Sequence, residues 1–197
     1  MRHAPATLRN REPILNVLKQ VLPQRGLLLE IASGTGEHAA FMAPELGELF
    51  WQPSEVDRAV LEDIDERTIA AGCQRILPAL QLDVTAATWP LSQADAVFCC
   101  NMIHIAPWAA AEGMFTGAAR LLRPASLLIL YGPFRRHGVH TAPSNAQFES
   151  WLQGIDPRFA VRCLDNDVIP LARANGFELA DIVAMPANNF TVIWRRC

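Results

Sequence analysis

Leu27-Leu28-Leu29-Glu30-Ile31-Ala32-Ser33-Gly34-Thr35-Gly36 is the stretch on which the fold turns. Its first five residues are too short and too apolar for a surface helix, are bounded by Gly26 and Gly34, and read as a strand buried on both faces. The glycines behind it let the backbone turn sharply and approach a ligand closely. Residues 37–46 then suit a helix. Ahead of the strand, residues 11–22 carry Ile14, Leu15, Leu18, Val21 and Leu22 at helical spacing, with Pro13 tolerated in the first turn.

Further along, strands are predicted at 48–52, 79–82, 95–100 and 126–131, each bounded by polar or glycine-containing breaks. Helices are predicted between them at 57–71, with Val60, Leu61, Ile64 and Ile69 on one apolar face, and at 107–122. From Ser144 the Ser-Asn-Ala-Gln pattern resembles a capping box opening a helix through Trp151; another runs from 165 to 175 around Pro170 and stops at Gly176. Strands alternating with helices demand a parallel sheet wound on both faces. The ending differs: strands at 177–184 and 190–195 are joined by only Met185 to Asn189, so they form an antiparallel hairpin. The expectation is α/β: a seven-stranded, mostly parallel sheet with an antiparallel last strand, helices on both faces, and one domain over 1–197 whose first 25 residues form a lid and helix.

Composition narrows the function. The 197 residues are 51% hydrophobic and 19% charged with a net charge of −3, which excludes a disordered chain and leaves no basic footprint for general nucleic-acid binding. Five cysteines, none in a C-x-x-C pair, suit a reducing cytosol. The first ten residues have no apolar signal core, and no run approaches a membrane span, so a cytoplasmic location is expected.

Three acids then fall at successive strand ends: Glu30, Glu55 and Asp83. Glu55 stands 19 residues beyond Gly36, where a carboxylate takes both hydrogen bonds of a ribose diol, with Asp57 its rival. Asp83 either reaches an adenine amino group or caps Thr85 onward. These positions suit a nucleoside ligand. Gly34-x-Gly36-x-x-Ala39 also fits the dinucleotide fingerprint, which keeps a nicotinamide-dependent oxidoreductase as an alternative. Glu30 four residues before Gly34, the preceding helix and the closing hairpin favour S-adenosylmethionine.

The residues now resemble a class I S-adenosylmethionine-dependent methyltransferase, with Rossmann-like fold, Glu30 to Gly36 matching the acidic-x-G-x-G-x-G motif and Ala32 replacing its first glycine. The closer resemblance is to an uncharacterised methyltransferase-like family of bacteria and animals. It rests on Arg9-Asn10-Arg11-Glu12-Pro13-Ile14-Leu15, the 30–36 turn, Trp51-Gln52-Pro53-Ser54, Asn101-Met102-Ile103-His104, Tyr131-Gly132-Pro133-Phe134 and Met185-Pro186-Ala187-Asn188-Asn189. Where the family shows Asp after Trp-Gln-Pro-Ser, this chain has Glu55. The resemblance implies S-adenosylmethionine as cofactor and names no acceptor.

The candidate site follows. Glu30, Ala32, Ser33, Gly34, Gly36, Glu55, Asp83 and Asn101 are expected to bind the cofactor, and Asn10, Met102, Tyr131, Arg135 and His140 a small-molecule acceptor. His104, just past the fourth strand, is the candidate general base, its alternative being packing at the next helix start. Arg135, Arg136, His137 and His140 form a charged loop that either binds an acidic acceptor or is only solvated. Met102, Phe134, Trp108 and Trp151 wall an acceptor pocket or belong to the core. Pro5 to Asn10 are expected as a lid, with Arg9 or Asn10 on the methionine carboxylate. No metal set is expected, since His137 and His140 lack partners at ligand spacing. A cofactor-binding protein without turnover is the non-enzymatic alternative, and the oligomeric state is left open.

Overall fold

The structure, a computed structural model, describes residues 5–197. Helix α1 spans Pro5–Val21, strand β1 Arg25–Ile31, α2 Glu37–Met42 and β2 Glu48–Glu55. Then come α3 (Leu61–Ala70), β3 (Leu80–Gln81), β4 (Ala94–Cys100), α4 (Trp108–Leu121) and β5 (Leu122–Gly132). The chain closes with α5 (Pro143–Ile155), α6 (Ile169–Ala174), β6 (Phe177–Met185) and β7 (Asn189–Arg196). One seven-stranded sheet results, ordered β3-β2-β1-β4-β5-β7-β6. β3, β2, β1, β4 and β5 run parallel, and β7 inserts antiparallel to both β5 and β6, as the short hairpin requires.

The apolar runs divide between two faces because side chains alternate along a strand. Leu28, Ala96, Phe98 and Ile129 pack with α1 and α2, while Leu29, Val97, Cys99, Leu128 and Leu130 pack with α4 and α6. Burying both faces is why these strands read as unbroken hydrophobic stretches. The order reverses between β1 and β4, so their carboxyl ends diverge and open the crevice in which such sheets bind ligands.

Some expected boundaries move. Residues 5–10, predicted as a lid before the first helix, are its opening turns, and residues 1–4 lie outside the described residues. β2 extends to Glu55, β3 shrinks to two residues, and β5 starts at Leu122 because it continues directly out of α4. Ser144 does not cap α5; the N-cap is Ala142, with no side-chain bond, and Pro143 takes the first turn. Ile69, predicted on the buried face of α3, is 77% exposed, whereas Ile64 is fully buried.

Candidate functional site

The turn after β1 rests on a buried carboxylate. Glu30, 1% exposed, accepts hydrogen bonds on Oε2 from Ser33 Oγ (2.8 Å) and Trp51 Nε1 (2.9 Å). Its Oε1 has no hydrogen-bond partner and lies 3.7 Å from His38 Nδ1. Burial pushes the carboxyl up to about 7, against the lowering effect of those two donors. Ser33 and Ser54 lace the ends of β1 and β2 together: Ser54 N donates to Ser33 Oγ (3.1 Å), and Ser54 Oγ to the Glu30 carbonyl (2.6 Å). Trp51, Ser54 and His38 have structural roles in this turn that sequence reasoning does not reach. Trp51 and Ser54 stand in the Trp-Gln-Pro-Ser motif, but the motif does not show which way their side chains point.

α1 is fastened to the same edge. Asn10 Oδ1 sits 2.9 Å from His38 Nε2, and because an amide oxygen only accepts, that nitrogen carries the proton. Burial holds His38 down at about 4. The run Asn10, His38, Glu30 therefore reaches from the first helix to the floor of the turn.

Three residues of the turn adopt left-handed backbone: Ala32 (φ 57°), Gly34 (φ 58°) and Gly36 (φ 72°). Ala32 thus holds the conformation for which the three-glycine pattern supplies glycine, at a cost of about 1 kcal/mol. A Cβ on Gly34 meets nothing within 4 Å, so the space above it is open. Glu55, the last residue of β2, closes the turn from the side: Oε2 accepts from Gly34 N–H (2.9 Å) and Oε1 from Val56 N–H (2.8 Å). Asp57 instead caps the short helical turn at 58–60 through Ala59 N–H (2.9 Å). Asp83 accepts on Oδ1 from Thr85 N–H and Oγ1, the cap expected of it, and its side chain lies at the surface.

Across the crevice, Asn101 ends β4 at φ 62°, with its N–H on the Tyr131 carbonyl (2.8 Å). Asn tolerates that conformation better than most residues. A cavity of about 430 Å³ opens beside it, between the start of α1, the ends of β4 and β5, α5 and the β6–β7 turn. Arg9, Asn10, Asn101 and Tyr131 line one side; Asn145 and Phe148 of α5 and Pro186, Ala187 and Asn189 of the turn line the other. Asn145 Nδ2 donates to the Asn188 carbonyl (3.1 Å) and so holds that turn against α5. Ala187 and Asn188 are both left-handed, at φ 58° and 59°. Asn145 and Phe148 carry no sequence signal, and the turn residues form a motif whose spacing shows only a hairpin joint.

Most residues expected around the acceptor do not line this cavity, among them His104, Met102, Phe134, Trp108, Trp151, Arg135 and His140. His104 is fully buried: its Nδ1 accepts from Arg162 N–H (3.2 Å), its ring packs edge-on against Phe134 at 4.8 Å, and its Nε2 is unpartnered. Burial, with the nearby Arg162 charge, drives it down to about 3, so its place is in the packing rather than at an acceptor. Met102 and Phe134 belong to the core. The Arg135 backbone pairs with the segment at 162–164, and Arg136 and the His137 N–H both engage Asp165. His140 Nε2 faces Glu149 Oε2 at 2.8 Å, on the flank of α5.

A family model, described as protein of unknown function (DUF938), matches residues 1–196. The chain belongs to the DUF938 family. Solved structures similar to this DUF938 chain include the apo form of the S-adenosylmethionine-dependent methyltransferase SibL (TM-score 0.80, 16% identity, 97% of this chain and 55% of that one). An O-methyltransferase family protein from Burkholderia thailandensis matches at TM-score 0.82 and 16% identity, over 97% of this chain and 57% of that one. CalO1, a methyltransferase of calicheamicin biosynthesis with S-adenosylhomocysteine bound, matches at 0.74 and 14%, over 95% and 54%. The DUF938 chain spans a little over half the length of these proteins. It has the fold of S-adenosylmethionine-dependent methyltransferases, as its motifs predict.

Proposed function

We propose that the protein is a cytosolic S-adenosylmethionine-dependent methyltransferase, a single domain acting on a small-molecule acceptor. The observation that carries this reading is the Ala32–Gly36 turn at the reversal of strand order, open above Gly34 and floored by a buried carboxylate with one unpartnered oxygen. Those residues fit the cofactor. Glu30 Oε1 would take the ammonium of its methionine portion, the Gly34–Gly36 backbone would lie against it, Glu55 would accept from the ribose diol, and Asp83 would reach the adenine edge with the oxygen Thr85 leaves free. Asn101 would close the methionine end from β4. Free cysteines throughout, and helices too short or too polar to cross a membrane among the described residues, support a soluble setting.

When bound, the cofactor supplies a methyl group on a sulfonium, open to in-line attack. The chain's contribution is positioning and the exclusion of water, since such a displacement needs few catalytic groups. Glu55, fixed by two backbone N–H groups, is already oriented before a ligand arrives. Asn101 lines the cavity just past the end of β4, so its amide would orient a group that enters there.

Calorimetric titration with S-adenosylmethionine, S-adenosylhomocysteine and NAD tests the reading. The first two bind and NAD does not; Gly34→Val abolishes binding by filling the open space, and Glu55→Ala weakens it about tenfold, or about 1.4 kcal/mol. Binding of NAD alone would overturn the proposal, while cofactor binding without any methyl transfer would leave a binding protein in its place.

A further inference from the structure

Resting on that methyltransferase reading, the cavity beside Asn101 has a charge pattern that narrows the acceptor. Among the described residues lining it, Arg9 is the one charged residue, and no carboxylate, imidazole, thiol or primary amine accompanies it. The titratable groups packed behind its wall are withheld, among them the Cys100 thiol, which accepts from Asn10 and Asn101 Nδ2 and is pushed well up by burial. His104 is fully buried with Nδ1 occupied, His38 is spent on Asn10, and the Tyr131 phenol, pushed up to about 12 chiefly by burial, keeps its proton. No described residue at the cavity wall removes a proton from an acceptor at neutral pH. With no base supplied by the described wall, the nucleophile enters with its lone pair already free.

Two kinds of group meet that condition, an unprotonated amine and an anion, and Arg9 separates them. A guanidinium offers no ion pair to a neutral amine and repels its ammonium form, whereas it pairs bidentately with a carboxylate. The shape agrees with a flat molecule: Phe148 forms a wall, stacked on Trp151 with ring centres 5.8 Å apart and planes 20° from parallel, and Pro133 and Pro186 add rigid apolar surface. Trp151 is 61% exposed, so the aromatic surface continues out of the cavity. Asn145 and Asn189 each commit Nδ2 to backbone carbonyls, Asn188 O for the first and Pro186 O and Ala187 O for the second, which leaves their Oδ1 atoms to accept from a donor on the ligand.

We propose that the cavity binds a small planar acid, a carboxylic acid or acidic phenol, whose ionised oxygen is itself the nucleophile. The oxygen forms the new bond to the methyl carbon as the carbon–sulfur bond breaks and its electron pair stays on sulfur. An anion and a sulfonium become two neutral groups, and no proton has to leave.

The test is calorimetric titration of the protein loaded with S-adenosylhomocysteine, using benzoate, 4-nitrophenol and benzylamine as probes. Benzoate and 4-nitrophenolate bind, and benzylamine binds at least about tenfold more weakly. Arg9→Gln lowers benzoate affinity about tenfold and Arg9→Lys restores part of it, each variant being saturated with S-adenosylhomocysteine beforehand. In turnover, the pH profile across a series of phenols moves with each acceptor's own pKa. A preference for benzylamine, no binding by either acid, unchanged benzoate affinity in Arg9→Gln, or a profile fixed at one pH for all phenols would overturn the proposal. Failure of the wild-type protein to bind S-adenosylhomocysteine would instead remove the methyltransferase reading beneath it.

Discussion

The two sides of the sheet's carboxyl edge are built on opposite plans. On the β1–β2 side, carboxylates dominate and are held by hydrogen bonds: Glu55 by two backbone N–H groups, Glu30 by the Ser33 hydroxyl and the Trp51 indole, while the Ser54 hydroxyl donates to the Glu30 carbonyl. On the β4–β5 side, amides and aromatic rings line the cavity and His104 is sealed in the core. In the proposed function the first side would receive one ligand of fixed shape, whose polar groups must each find a waiting partner. The second would leave the chemistry to the molecule that enters. A base there would stand out as an exposed titratable group, and the positions that sequence makes candidates for it are turned inward or engaged with other side chains.

The contrast can be broken with pH. Glu30 holds its proton up to about 7, while an unfolded glutamate releases it near 4.5, so the folded protein binds the extra proton between those values. Stability therefore falls as pH rises through that window, and the penalty, about 3 kcal/mol, is complete above it. Glu30→Gln should match the wild type near pH 4.5 and exceed it by about that amount at pH 8, as read by urea unfolding. If the two remain parallel at all pH values, Glu30 is not the strained floor of the turn.

Acid acts through the other side. His104, held at about 3, must stay neutral in the folded protein while an unfolded histidine gains its proton near 6.5, so stability is lost as pH falls below 6.5. From pH 6.5 to 4 that loss is about 3 kcal/mol, and His38 adds to it from the cofactor side. Between pH 6.5 and 4.5 the proton that Glu30 retains offsets one of the two imidazoles, so His104→Gln should remove most of the net acid slope, without abolishing cofactor binding. An unchanged slope would show that the His104 ring takes up its proton in the folded protein and is not sealed against Phe134.

Gly132→Ala sharpens the same point. Its Cβ would lie 2.5 Å from His104 Nε2 and 2.7 Å from Cδ2, so the ring must move, at about 2 kcal/mol, and the thermal midpoint should drop. The smallest effect belongs to Ala32→Gly: relief of the left-handed strain is largely offset by the greater freedom of glycine in the unfolded chain, and stability should change by less than about 1 kcal/mol.

How much of this is legible in sequence follows the same division. The parallel sheet, the hairpin at the end and the glycine turn show in periodicity and spacing, because burial on both faces and left-handed turns restrict residue types locally. That Glu55 comes to lie beside the turn is legible because its distance from Gly36 is set by α2 and β2. The cavity is only half legible: Asn10, Asn101 and Tyr131 stand in short motifs, but Asn145 and Phe148 arrive on a helix far along the chain, and nothing in their neighbours marks which face meets β4. His104 misleads for a related reason. A histidine after a strand looks the same in sequence whether it faces a ligand or Phe134.

Amide hydrogen exchange with and without S-adenosylhomocysteine tests the division most directly. The account predicts added protection at 32–36, 55–56 and 83–85, with none in the β6–β7 turn at 186–189 until an acidic acceptor is also present. Protection by S-adenosylhomocysteine centred on 186–189, with the 32–36 turn unaffected, would contradict it.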